Sequence, residues 1–246
     1  MRLLIIPAAG LGSRLGALKP KALVDVNGRP MLDHLAALYR PFVDETVVVA
    51  HPAFADAIVE WGRGSGGISV EVQPSPTGML DAILLAAPIV REKEPDEIWI
   101  TWADQVGVLR ETVQRLAGVT SAAPRPALAL PTVARREPYI HFERDGAGRI
   151  HRLLQRREGD RMPETGESDM GLFAMTRQTF ERDLQDYARE AAPGTATGER
   201  NFLPFVPWLA PRGIVATFPC TDPMEAIGIN TPGELRQVEA WLRSRT

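Results

Sequence analysis

Cysteine is almost absent. Cys220 stands alone among 246 residues, so the chain can form neither an intrachain disulfide nor a multi-thiolate metal site, and its composition leans toward a reducing, cytoplasmic setting. Lysine is scarce too: only Lys19, Lys21 and Lys93 contribute to the 28 basic residues. No apolar run approaches the ~18 residues of a membrane span. The apolar stretch before Pro7 is too short for a signal peptide, so neither export nor a membrane partner is expected. Charge of one sign is lacking as well, the net value being −3, which removes any global electrostatic reason to expect nucleic acid. An anion site in this chain must be local. Internal repeats are missing, including hexapeptide repeats, and with them the expectation of a fused acyltransferase.

What is present is a chain 44% hydrophobic and 24% charged, a balance that excludes disorder and suits one substantial core. Short β-type runs alternate with helix-period runs: Leu3–Ile6, Met31–Tyr39, Glu45–Ala50, Phe54–Trp61, Ile68–Val72, Leu80–Val90 and Glu97–Thr101. That alternation predicts an α/β fold, with βαβ crossovers feeding a mostly parallel sheet. Pro30 marks a helix start, and Thr231-Pro232-Gly233-Glu234 combines an N-cap, a first-turn proline and a capping-box acid, predicting a last helix to about Arg243. Between Ala127 and Met175 the extended runs Leu128–Val133, Tyr139–Glu143 and Gly148–Leu154, with a hairpin signal at Asp145-Gly146, predict a β-rich insertion. Arg156–Ser168 and Ala191–Arg200 predict long surface loops of the kind that often border active sites.

The richest segment follows the first strand: Pro7-Ala8-Ala9-Gly10-Leu11-Gly12-Ser13-Arg14-Leu15-Gly16-Ala17-Leu18-Lys19-Pro20-Lys21. Small residues let backbone approach a ligand, and successive N–H groups in such a turn make an anion-binding concavity. Arg2, Arg14, Lys19 and Lys21 precede the first acid, Asp25, so the segment is positive within an acidic protein. A polyphosphate fits that charge. A dinucleotide fingerprint does not fit, because Pro20 falls where its continuous helix should run, and a Walker A loop lacks its Gly-Lys-Ser/Thr.

The segment IIPAAGLGSRLGALKPKALVDVNGRPMLDH resembles the signature of the sugar-1-phosphate nucleotidylyltransferases, or nucleotide-sugar pyrophosphorylases: A-A-G-x-G-[ST]-R-[LM], a spacer, P-K, a short strand and G-x-P-[ML]. Three later segments resemble the same family in order. Val72-Gln73-Pro74-Ser75-Pro76-Thr77-Gly78 is similar to its Q-P-x-x-x-G segment, Trp102-Ala103-Asp104 to its metal aspartate, and Gly228-Ile229-Asn230-Thr231-Pro232 to its G-[IV]-[ND]-[TN]-P segment. Taken singly, Gln73 could end a strand, Asp104 could be a turn residue and Asn230 could belong to a helix cap.

The resemblance implies a three-layer, Rossmann-like fold of the GT-A type in one domain, residues 1–246. Its nucleotide-binding part covers about 1–125, its acceptor part about 126–220, and a metal-ligand segment with the last helix about 221–246. It further implies Mg²⁺-dependent transfer of a nucleoside monophosphate from a nucleoside triphosphate to a sugar 1-phosphate, with pyrophosphate released. Ala8, Ala9, Gly10, Gly12, Ser13 and Arg14 would hold the triphosphate, and Gln73 and Gly78 the base. An amide carries both donor and acceptor, which suits a pyrimidine: UTP, dTTP or CTP. Arg14, Lys21 and Asp104 are the expected catalytic residues, and Asp104 with Asn230 the expected Mg²⁺ ligands, one charged oxygen and one neutral.

The acceptor half departs from the family pattern. Tyr139-Ile140 stands where a small residue usually follows the tyrosine, Gln155 where an acid is common, and Asp169-Met170-Gly171 where a threonine-glycine pair is common. Tyr139, Gln155 and Asp169 are the expected acceptor contacts. Their departures leave open a non-sugar acceptor such as phosphocholine or a polyol phosphate taken by a cytidylyltransferase. A glycosyltransferase of similar fold, guanylyl transfer to the molybdenum cofactor and a non-catalytic nucleotide sensor are the other readings.

Overall fold

The computed structural model describes residues 1–10, 15, 19–64 and 66–245. Apolar, β-branched stretches form the strands that carry the sheet: β1 (Arg2–Ala8), the two-residue β2 (Asp25–Val26) and β3 (Arg29–Pro30), β4 (Glu45–Ala50), β5 (Ile68–Val72) and β6 (Glu97–Thr101). Then follow β7 (Leu128–Arg136), β8 (Ile140–Arg144), β9 (Ile150–Gln155), β10 (Thr165–Asp169), β11 (Leu172–Thr176) and β12 (Val215–Pro219). The main sheet runs β5-β4-β1-β6-β11-β7, with β12 parallel to β7 beyond it. β10 continues the line of β11 and pairs with the far half of β7. Strands β5, β4, β1 and β6 pair parallel, while β10 and β11 run antiparallel to their neighbours.

Alternation along β1 divides the core. Leu4 and Ile6 face one side, with α1 (Met31–Tyr39), α2 (Ala55–Gly62), α5 (Arg110–Thr120) and α8 (Pro232–Arg243). Leu3 and Ile5 face the other, with α3 (Met79–Leu84), α4 (Ala87–Lys93), α6 (Leu184–Glu190) and α7 (Phe205–Leu209). Three layers result, the arrangement expected when a largely parallel sheet must be covered on both faces.

Three local expectations need correction. The single run Leu80–Val90 is two helices, α3 and α4, because Pro88 in the first turn of α4 has no N–H to continue α3. The loop expected over Arg156–Ser168 ends in strand β10, whose Thr-Gly-Glu-Ser-Asp has almost no apolar signal and is held by pairing to β7. Much of the β-rich stretch belongs to the main sheet, and only the β8–β9 hairpin forms a separate small sheet there. The last helix matches its signals: the Thr231 hydroxyl accepts from Glu234 N–H at 3.3 Å, and the Glu234 carboxylate accepts from Thr231 N–H at 2.8 Å.

Chain direction positions the site. β1 is flanked by β4, the next main-sheet strand, on one side and by β6 on the other, so strand order switches between β1 and β6. Open α/β sheets bind ligands in the crevice beyond the carboxyl ends of strands at such a point. Ala8-Ala9-Gly10 leaves β1 there, and Asp104 follows β6 by three residues.

Candidate active site

The metal-type residues come together through three separate segments. Lys21 opens the short helical turn Lys21–Leu23, and its ammonium donates to Asp104 Oδ2 at 2.5 Å and to Asn230 Oδ1 at 2.8 Å. The Lys21 and Asp104 side chains are each 16% exposed, which shields the pair from the screening that weakens surface ion pairs. Backbone contacts hold the two oxygens in place. Ile229 N–H donates to the Asp104 carbonyl at 3.1 Å, and a Cβ on Gly228 would sit 3.2 Å from Asp104 Oδ1. Asn230 Nδ2 donates to the Gly228 carbonyl at 3.2 Å, which turns Oδ1 toward Lys21. Thr231, not Asn230, caps α8, so the Asn230 amide faces the cleft rather than the helix.

The segment behind these residues is pinned by Glu225, a fully buried carboxylate. Its Oε1 accepts from Thr221 and Asp222 N–H at 2.9 Å each, and Oε2 accepts from Leu109 N–H at 2.9 Å. One side chain thus ties the chain after Asp104 to the chain before Gly228.

Asp104 and Asn230 line a cleft of about 470 Å³ whose walls also include Tyr139, Gln155 and Asp169. All three expected acceptor contacts therefore share one cavity with both expected metal ligands. Tyr139 is 46% exposed at the rim. Asp169 lies at the end of β10, where its Oδ2 accepts from Gly171 N–H at 2.9 Å, and desolvation pushes its carboxyl up to about 6. The two long loops meet at the rim: Glu158 accepts from Ala196 N–H at 3.0 Å and from the Thr197 hydroxyl at 2.6 Å.

The expected base-binding pair lies to one side. Gln73 and Gly78 do not line the cleft, whereas Met79 does. Buried Gln73 donates Nε2 to the Gly78 carbonyl at 3.0 Å, closing the turn between β5 and α3. Gly78 has φ +122°, and a Cβ there would meet Arg200 O at 2.4 Å, so glycine is what admits the Arg200 backbone. Ala8 ends β1 and Ala9 and Gly10 follow it at the strand's carboxyl end, but none of the three lines the cleft. Gly12, Ser13 and Arg14 lie outside the described residues.

Sequence reasoning missed several wall residues. Trp102 packs at a tilt against Phe173 with ring centres 5.2 Å apart, and it also lines the cleft. Gln105, next to an expected metal ligand, and Arg135 on β7 line it too; for Gln105, adjacency to Asp104 was the available signal.

Asp104 and Asn230 suit magnesium: two hard oxygens converge on one cation, the Lys21 ammonium, and Mg²⁺ commonly takes one or two protein oxygens and completes its octahedron with phosphate and water. Among the described residues no three His, Cys, Asp or Glu side chains converge, so an all-protein metal cage is not offered. Nor, among them, is any helix long and apolar enough to cross a membrane.

Comparisons with known proteins bear on the fold and the family. The chain is 28% identical over 250 residues to the bifunctional protein GlmU of Cereibacter sphaeroides strain ATCC 17023, and 25% identical over 247 residues to that of Thermodesulfovibrio yellowstonii. Each match covers 98% of this chain and 52% of the relative, so the chain spans about half the length of these curated proteins. A solved structure described as a glucose-1-phosphate thymidylyltransferase from Bacillus anthracis, in complex with a sucrose, superposes with a TM-score of 0.76 at 15% identity. That superposition covers 99% of this chain and 96% of the other, and shows the same fold. The model of the MobA-like NTP transferase domain matches residues 4–168. The chain belongs to that family of nucleotidyltransferases.

Proposed function

We propose that the protein transfers a nucleoside monophosphate from a pyrimidine nucleoside triphosphate to a sugar 1-phosphate, with Mg²⁺, in the cytoplasm. The observation that carries this reading is the convergence of Lys21, Asp104 and Asn230 at the strand-order switch, opening into a cleft lined by Tyr139, Gln155 and Asp169. An oxygen of the acceptor phosphate attacks the α-phosphorus, and the bond to the bridging oxygen breaks so that pyrophosphate leaves with the electron pair. The nucleophile is already ionised near neutral pH, so no general base is required, and positioning and charge neutralisation supply the catalysis. Lys21 places a point charge beside the α-phosphate and the incoming phosphate, and Arg14 grips the β- and γ-phosphates with its two-pronged guanidinium. Magnesium held by the Asp104 and Asn230 oxygens supplies neutralisation of phosphate charge when bound. The Gln73 turn receives the base.

The test is pyrophosphate release over a matrix of UTP, dTTP, CTP, ATP and GTP against a panel of sugar 1-phosphates and phosphocholine. Release with a pyrimidine triphosphate and a sugar 1-phosphate supports the reading. Release with phosphocholine alone replaces the acceptor, and free nucleoside diphosphate from a nucleotide sugar replaces the reaction with glycosyl transfer.

A further inference from the structure

Gln105 is 6% exposed and lines the cleft, yet its Oε1 is the one buried side-chain oxygen or nitrogen among the described residues that lacks a hydrogen-bond partner. Buried amide oxygens are normally paired, and an orphan in a cavity wall points to a partner supplied from the cavity. The surrounding backbone is shaped to hold this side chain. Gly171, at φ +71°, lies so close that a Cβ would meet Gln105 Cγ at 2.8 Å, and it sits in the two-residue break between β10 and β11. Gly171 also accepts from Trp102 N–H at 2.9 Å, and the Trp102 carbonyl accepts from Gln105 N–H at 3.1 Å. The stem is thus fixed, and rotation of the terminal amide about its broad last torsion would bring its oxygen to the cleft. Asp169, in the same wall, adds a carboxyl as a further acceptor.

We infer that Gln105 is an acceptor-specificity residue whose side-chain oxygen accepts a hydrogen bond from a hydroxyl or amide N–H of the phosphorylated acceptor. This rests on the nucleotidyl-transfer reading for the identity of the acceptor as a phosphomonoester. It selects hydroxyl-bearing phosphomonoesters over phosphocholine, whose quaternary ammonium has no proton to donate.

The test compares the wild type with Gln105→Leu, which keeps the bulk and removes the oxygen, and Gln105→Glu, which keeps an oxygen. Glucose 1-phosphate, N-acetylglucosamine 1-phosphate and phosphocholine are titrated calorimetrically with Mg²⁺, and pyrophosphate release is followed alongside. The expected result is binding of at least one sugar 1-phosphate, weakened about tenfold or more in Gln105→Leu and less in Gln105→Glu, with KM for the triphosphate unchanged. Without ligand, Gln105→Leu melts no lower than the wild type, because the substitution removes an unpaired oxygen; a lower melting point marks a structural residue and overturns the inference. Equal sugar-phosphate affinity in wild type and Gln105→Leu, phosphocholine binding alone, or binding of none of the probes also overturns it. Discriminating binding without pyrophosphate release leaves this inference standing and removes the proposed reaction; release without discrimination does the reverse.

Discussion

Asp169→Asn offers a stability measurement whose sign and size follow from one half-buried, desolvated group. Desolvation at the end of β10 pushes the Asp169 carboxyl from an ordinary 3.8 up to about 6, against the opposing hydrogen bond from Gly171 N–H. A carboxyl whose value rises on folding binds protons more readily in the folded state. Between 3.8 and about 6, stability therefore falls as pH rises, and above that window the full cost remains. At about 1.4 kcal/mol per pH unit, that span corresponds to about 3 kcal/mol at most, and the partial exposure of the residue reduces it to about 1–3 kcal/mol. Asparagine does not titrate and still offers an oxygen to Gly171. Urea unfolding of both proteins across this range should give a variant that gains about 1–3 kcal/mol over the wild type at neutral pH, with the gain vanishing toward pH 4. A difference independent of pH, or a variant less stable at neutral pH, refutes the reasoning.

Glu225→Ala removes the acceptor of three backbone N–H groups and should cost about 3–5 kcal/mol in urea unfolding, with an unchanged midpoint contradicting its pinning role. Gly78→Ala forces a Cβ against the Arg200 backbone at φ +122° and should cost about 1–3 kcal/mol of strain, read as a lower melting temperature; an unaltered melting curve would show that the contact yields. At Glu97, burial acts to raise the carboxyl, but hydrogen bonds from Trp99 and Thr120 and the charges of Arg2 and Arg125 outweigh it and leave it lowered. Its contribution is present above 4.5 and lost as pH falls through the folded value, so the stability advantage of the wild type over Glu97→Gln should shrink in that direction. An advantage that grows on acidification would reverse this sign.

The sheet was legible where burial is written into the residue types. Glu45–Ala50, Ile68–Val72 and Glu97–Thr101 are strands at the predicted bounds, and Met31–Tyr39 is the predicted helix. Strand β10 was not legible, because Thr165–Asp169 takes its conformation from pairing with β7 rather than from apolar alternation. The break between α3 and α4 was written in Pro88, although the apolar period runs across it. At the site, Asp104 and Asn230 were found from motif resemblance, but their joint contact with Lys21 depends on segments that meet only in the folded chain. Gln105 escaped because an unpaired oxygen is a property of packing, not of residue type.

The central claim is that Lys21, Asp104 and Asn230 form one catalytic centre for nucleotidyl transfer. The direct measurement is Mg²⁺-dependent pyrophosphate release by the wild type, Lys21→Ala and Asp104→Ala, each checked by circular dichroism for an intact fold. Loss of at least ~10² in kcat for both variants, the scale for removing one preorganised charged group, is the predicted result. Near wild-type turnover in either variant contradicts it.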